Sequence, residues 1–230
     1  VQTFDNRSKV FLRGGTVYRY PFVDEQISYS GYGMDQFYSE LDPETGWSAE
    51  LGGQVGLGKE VTAGLTLFRI DMKDEIAWNT TEQRNENLDQ TSRQGVEMNA
   101  AYRPLDFLRL EGNYTYTDAR FSAGVNDGNE LPLVPAHKAS AGARVMLPYD
   151  CSVGVMATYV GSSYLGGDNG NLIEKLPDYL VVDLTIRCQP AAVPGLEAYV
   201  AVDNLLNEKY ASLGYVGWEE NGYYPSPEIG

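Results

Sequence analysis

A single histidine, His137, stands in a chain of 230 residues, and it limits the acid–base chemistry the sequence can offer. No Cys, Asp or Glu lies at metal-ligand spacing from it, so a metal site is not expected and His137 is read as a rim residue. A Ser/His/Asp triad would depend on His137 alone, and Gly161-Ser162-Ser163-Tyr164 lacks the spacing of a nucleophile elbow. Gly52-Gly53-Gln54-Val55-Gly56-Leu57-Gly58 is glycine-rich, yet it sits in an alternating segment and leads to no helix, so it is not a phosphate loop. Asp168-Asn169-Gly170-Asn171 has the ligand types of a calcium loop without the terminal glutamate of an EF-hand. A hairpin tip is expected there instead, with Asn-Gly taking positive φ. These residues describe no enzyme and no cofactor site.

Composition narrows the class further. With 17 basic and 32 acidic residues the formal net charge is −15, which argues against nucleic acid as a partner. Hydrophobic residues at 43% and charged ones at 21% are those of a folded chain. No apolar run approaches the ~18 residues of a transmembrane helix. Seventeen tyrosines and 25 glycines point to a β-rich protein with many turns. The start, Val1-Gln2-Thr3-Phe4-Asp5, has neither a basic nor an apolar targeting region, so any export signal is expected upstream or already removed. Two cysteines without CxxC spacing indicate neither a zinc ribbon nor a redox motif.

The elements that must carry these residues are long strands. In Leu108-Arg109-Leu110-Glu111-Gly112-Asn113-Tyr114-Thr115-Tyr116-Thr117 one face holds Leu108, Leu110, Tyr114 and Tyr116, and the other holds Arg109, Glu111, Asn113 and Thr115. The same period of two recurs at 96–103, 138–147, 180–189 and 196–203. Strands are predicted at 9–20, 47–58, 61–78, 92–104, 107–120, 136–147, 151–162, 178–189 and 195–206. Within the third, the apolar set changes phase from Leu65/Leu67 to Phe68/Ile70/Met72, which a bulge or emergence from an apolar zone would explain. Connections alternate between long (21–46, 79–91, 118–135, 161–178) and short (58–60, 103–106, 148–150, 189–194). The fold expected is all-β: an antiparallel up-and-down meander forming part of a large transmembrane outer-membrane β-barrel, with apolar faces outward. The alternative is a soluble extracellular β-domain that binds glycan or protein through its loops, told apart by detergent dependence and heat-modifiable migration.

Several stretches carry a resemblance: Arg19-Tyr20-Pro21-Phe22-Val23-Asp24-Glu25, Leu41-Asp42-Pro43-Glu44-Thr45-Gly46-Trp47, Leu67-Phe68-Arg69-Ile70-Asp71-Met72-Lys73-Asp74-Glu75-Ile76, Leu133-Val134-Pro135-Ala136-His137-Lys138 and Val202-Asp203-Asn204-Leu205-Leu206-Asn207-Glu208-Lys209-Tyr210. In order and spacing the chain resembles the C-terminal barrel portion of TonB-dependent outer-membrane receptors over nearly its whole length. The resemblance implies a segment of about nine strands spanning 1–230, from a barrel of ~22 strands around a plug. Neither a plug nor a TonB box is recognised, and the pattern of such barrels continues beyond Gly230 into a final strand. It also implies outer-membrane lipid and TonB as partners, the latter through the plug, and uptake of a scarce nutrient such as a ferric siderophore, haem or cobalamin.

The loop aromatics Tyr29, Tyr32, Tyr164, Trp218, Tyr223 and Tyr224 are the candidate ligand contacts, since rigid rings bind at small entropic cost; interfacial girdles would use the same residue types. Arg109/Glu111 and Asp183/Arg187 are expected on the concave wall. Cys151 opens one strand and Cys188 closes the next, both outward at the short-turn end. If they are cross-strand partners, the hairpin centre falls between Asn169 and Gly170, where turn chemistry also puts it. Directly opposed residues lie within disulfide range, and a disulfide would persist on the oxidising periplasmic side. The alternative is two separate thiols packed as small hydrophobes. The sheet is expected to be open.

Overall fold

The computed structural model describes residues 2–3, 8–28, 36–79, 82–190, 193, 195–217 and 220–230. In chain order its strands are β1 (Gln2–Thr3), β2 (Lys9–Arg19), β3 (Ile27–Ser28), β4 (Gln36–Phe37), β5 (Glu44–Leu57), β6 (Val61–Lys73), β7 (Ile76–Asn79) and β8 (Arg84–Asn87). There follow β9 (Gln90–Leu105), β10 (Leu108–Phe121), β11 (His137–Leu147), β12 (Cys151–Val160), β13 (Tyr179–Cys188), β14 (Ala198–Val202), β15 (Ala211–Tyr215) and β16 (Gly222–Pro225). Ten of these form one antiparallel sheet in the order β1-β2-β5-β6-β9-β10-β11-β12-β13-β14. The order is linear, so no pairing joins β1 to β14 among the described residues. Three two-stranded hairpins, β3-β4, β7-β8 and β15-β16, stand at the long-loop end.

The strand registers join the alternating faces into two continuous surfaces. Leu12, Leu51, Leu67, Val96, Tyr116 and His137 form one row on the apolar side. Leu57, Val61, Tyr102, Leu110, Ala143, Val155, Leu184 and Val202 form another, nearer the short turns. Leu12 is 74% exposed and Leu57 60%, so this face is not packed against any described part of the chain. One row above Leu67 the same side turns polar, with Arg69, Gln94 and Asp118 in line. Arg69 pairs with Asp71 at 2.8 Å and Arg120 with Asp118 at 2.7 Å along that edge. The phase change in β6 is therefore the upper boundary of the apolar band. There is no bulge: β6 pairs in unbroken register with both β5 and β9.

Four boundaries differ from the sequence prediction for local reasons. β6 stops at Lys73 because Asp74 takes φ 58°, and β7-β8 continues the same hairpin register beyond that kink. The turn predicted at 103–106 tightens to Asp106-Phe107, since β9 carries through Leu105, with a register shift opposite Pro104, which lacks an N–H. β14 covers only Ala198–Val202, bounded by left-handed Gly195 and Asn204. At the tip of the 161–178 loop the left-handed residues are Gly167 and Asn171, not Asn169-Gly170, although Ser163 still bridges Leu176 in the hairpin's own register.

Burial is uneven. Among the described residues the buried apolar side chains are Met72, Ala119, Phe121, Leu131, Leu165, Leu176 and Val181. Most lie at the long-loop end, where connections fold over the polar side of the sheet. Phe121, Ala119 and Leu131 form a small core there, supported by Leu88 and Val134.

Candidate functional site

Two clasps organise the rim. In the first, Arg19 at the end of β2 reaches Glu44 (2.9 Å) and Glu25 (2.7 Å), and Glu44 also accepts the Ile76 N–H at 2.9 Å. Glu25 accepts the Phe22 N–H at 2.7 Å. The hydrogen bond from Arg19 holds the Glu25 carboxyl below its ordinary value of 4.5, against the opposing effect of burial. Asn87 bonds Asp42 in both directions (2.8 and 3.0 Å) and donates to Asp74 O at 2.7 Å. Arg93 forks onto Glu75 at 3.0 Å through both terminal nitrogens. Loop 20–43 is thus tied to loop 74–89.

The second clasp joins loop 122–136 to loop 161–178 and to the β15-β16 hairpin. Asn171 accepts the Glu130 N–H (2.7 Å) and donates to Glu130 O (2.9 Å), imitating a strand partner with its amide. Asn129 donates to Asn169 O at 3.0 Å. Asp168, only 5% exposed, accepts the N–H groups of Leu172 and Ile173 at 2.9 Å each. It is a backbone cap. Gly166 exchanges hydrogen bonds with Gly214 and Val216, and Leu165 is buried beneath Gly214.

Below the rim, Arg109, Glu111, Arg144, Met156, Asp183 and Thr185 line a hollow of about 320 Å³ on the polar side. Arg109 and Glu111 pair at 3.5 Å. Asp183 and Arg187 share this face without meeting, because four residues of strand separate them by about 13 Å. Arg187 pairs with Glu197 at 2.8 Å, and Asp183 accepts the Asn204 N–H at 2.9 Å.

The aromatic candidates are dispersed. Tyr29, Tyr32 and Trp218 lie outside the described residues. Tyr164 is half-buried, with Lys175 Nζ 4.6 Å over its ring. Tyr223 and Tyr224 are 54% and 59% exposed on β16, with Tyr224 edge-on to Tyr215. The stack of Tyr179 on Tyr210 at 4.1 Å escaped the sequence reading, as did the buried Asn204, which accepts Glu208 N–H and donates to Glu208 O and Pro227 O. Asn204 could have been found: it sits in the stretch Val202–Tyr210 that carries the resemblance. At the opposite end of the sheet Cys151 and Cys188 are directly opposed, with Cα atoms 4.0 Å apart and their sulfurs bonded.

The sequence matches the family described as "TonB dependent receptor-like, beta-barrel" over residues 3–205. The chain belongs to the TonB-dependent receptor family. Among curated relatives it is 29% identical to the ferrioxamine receptor of Yersinia enterocolitica over 128 residues, 53% of this chain and 18% of that one. It is 33% identical to the ferrichrome outer membrane transporter/phage receptor of Escherichia coli K12 over 126 residues, 51% of this chain and 16% of that one. Its fold is similar to that of the ferric yersiniabactin uptake receptor FyuA from Yersinia pestis, with a TM-score of 0.78 at 19% identity, covering 98% of this chain and 34% of that one. The ferric-catecholate import receptor Fiu from Escherichia coli K12 gives 0.73 at 21% identity, covering 99% and 32%. The chain thus spans about a third of the structures and less than a fifth of the curated relatives it matches. It is an outer-membrane barrel chain. Its apolar band, Leu108 to Tyr116 on β10, runs about 27 Å along the strand, or about 20 Å in height at a 40° tilt, against ~25 Å for such barrels. The soluble β-domain gives way to this reading.

Proposed function

We propose that the chain forms part of the wall and outer rim of a receptor that imports a ferric siderophore with energy relayed through TonB. The observation that carries this reading is the one-sided band: apolar residues in continuous cross-strand rows, bounded above by paired charges and two loop clasps, in a chain of this family. The band meets outer-membrane lipid. The polar wall with Arg109, Glu111, Arg144 and Asp183 faces the inside of the barrel, where it would contact a plug. Tyr223 and Tyr224 contact the ligand together with Tyr29, Tyr32 and Trp218, whereas Tyr164 anchors Lys175. Among the nutrients a TonB-dependent receptor could carry, a siderophore is favoured over haem or cobalamin by relatives named for ferrioxamine and ferrichrome. No catalytic step is part of the reading. The test is iron uptake in cells whose other siderophore receptors are deleted. Transport of iron from a ferric siderophore should require both this gene and TonB. Growth on no ferric chelate, with or without TonB, would sink the proposal.

A further inference from the structure

The chain's charge is concentrated at one end. Loops 20–43, 74–89, 122–136 and 161–178 hold fifteen of the 32 carboxylates and two of the 17 cations, Arg84 and Lys175. They therefore carry −13 of the formal −15, while strands, short turns and the C-terminal segment nearly balance. A need for solvation accounts for charge at a rim but not for its sign, because lysine is hydrated as readily as aspartate.

Neither loop cation is available to meet an anion. Lys175 Nζ lies 2.7 Å from Glu130 and over the Tyr164 ring, and the Arg84 guanidinium lies 4.9 Å over Tyr38. Two cations at adjoining strand ends, Arg19 and Arg93, are forked onto Glu25, Glu44 and Glu75. The same loops expose Phe22 (62%), Phe37 (62%) and Trp78 (41%), surfaces suited to an apolar or cationic partner. Arg19, Arg84, Arg93 and Lys175 are thus committed, while carboxylates and exposed rings remain.

We propose that this mouth selects its substrate by charge, admitting ferric chelates that are neutral or cationic and repelling polyanionic ones. The inference rests on the receptor reading above and names the substrate class within it. Three hydroxamates neutralise iron(III), and a pendant amine makes the complex a cation. Three catecholates leave a trianion, which must approach against the field of the loops. No single carboxylate is assigned as a ligand. The effect is on encounter, where a one-signed mouth changes association rates by roughly 10–10³-fold at low ionic strength.

The test uses the intact receptor and one chelate in three charge states: a linear ferric trihydroxamate with a free amine, its N-acetyl form and its N-succinyl form, with a ferric tris-catecholate alongside. At about 20 mM salt the cationic form should associate about tenfold faster than the succinylated one, and the ratio should approach unity near 0.5 M. Neutralising four exposed loop positions together (Asp24→Asn, Glu40→Gln, Asp127→Asn, Glu174→Gln) should lower the ratio severalfold. Equal rates for all three forms at low salt, or a faster anion, would overturn charge selection and leave the receptor reading standing. Failure of every chelate to bind would overturn both.

Discussion

Replacing Asp168 by alanine removes the acceptor of two backbone N–H groups in a site only 5% exposed. Each amide left unpaired costs roughly 1–3 kcal/mol locally, so the 161–178 loop should become the first point of cleavage in limited proteolysis of the folded barrel. An unchanged cleavage pattern would count against the cap. Glu25 gives a pH-dependent counterpart. Its carboxyl is held below 4.5 by Arg19, so the clasp is fully formed above that value and is lost as the pH falls through the lowered one. Protection of the Phe22 amide from hydrogen exchange, relative to a free amide at the same pH, should fall only below the ordinary carboxyl value of 4.5 and be reduced at every pH in Glu25→Gln. At this scale the sequence was least legible. Asp168, Asn171 and Glu25 act on backbone groups brought near by chain reversals, and no periodicity announces where a loop will fold back. Asp183 and Arg187 share a strand face, as their parity implies, but residues two pleats apart do not meet, and their actual partners, Asn204 and Glu197, lie on other segments.

Each strand, by contrast, was readable because a period of two encodes its faces. All nine predicted long strands are present, and a tenth, β1, adds only Gln2–Thr3. Ends were misjudged where a single residue enters the left-handed region, as Asp74 does in β6 and Asn204 after β14. Two paired substitutions test the facing of β13. Val182→Arg, at mid-band on the apolar side in the row of Gly112, should cost about 2–4 kcal/mol in assembly stability, whereas Thr185→Arg, turned to the polar hollow, should be tolerated. Heat-modifiable mobility after refolding into lipid reads both, and equal effects would mean the faces are misassigned. Gly95 tests close packing of β9 against both its neighbours, β6 and β10. A Cβ there would collide with Tyr116 O and lie 2.8 Å from the Phe68 ring. Gly95→Val should therefore impair β9-β10 pairing, with loss of the heat-modifiable form, while Gly15→Val, which has open space around it, should not.

Over the whole molecule, burial and chemistry divide by height: small cores and clasps at the rim, a two-faced sheet in the middle, and one disulfide at the opposite end. That last placement has a consequence for the order of biogenesis. Cys151 and Cys188 sit at the foot of a hairpin whose tip carries Asn171, the residue that clamps Glu130. A slip of the pairing by two residues would move one strand about 7 Å along the other and take Asn171 out of reach. The bond thus fixes, from the periplasmic end, the alignment on which an outer-surface contact depends. The bond joins neighbouring strands of a single hairpin and an oxidising compartment suffices to close it, so the covalent step should come first and the membrane second. Alkylation of free thiols during a pulse-chase should find the bond already closed in chains that have not yet reached the heat-modifiable state. Folded barrels that still yield two alkylated thiols would reverse that sequence of events.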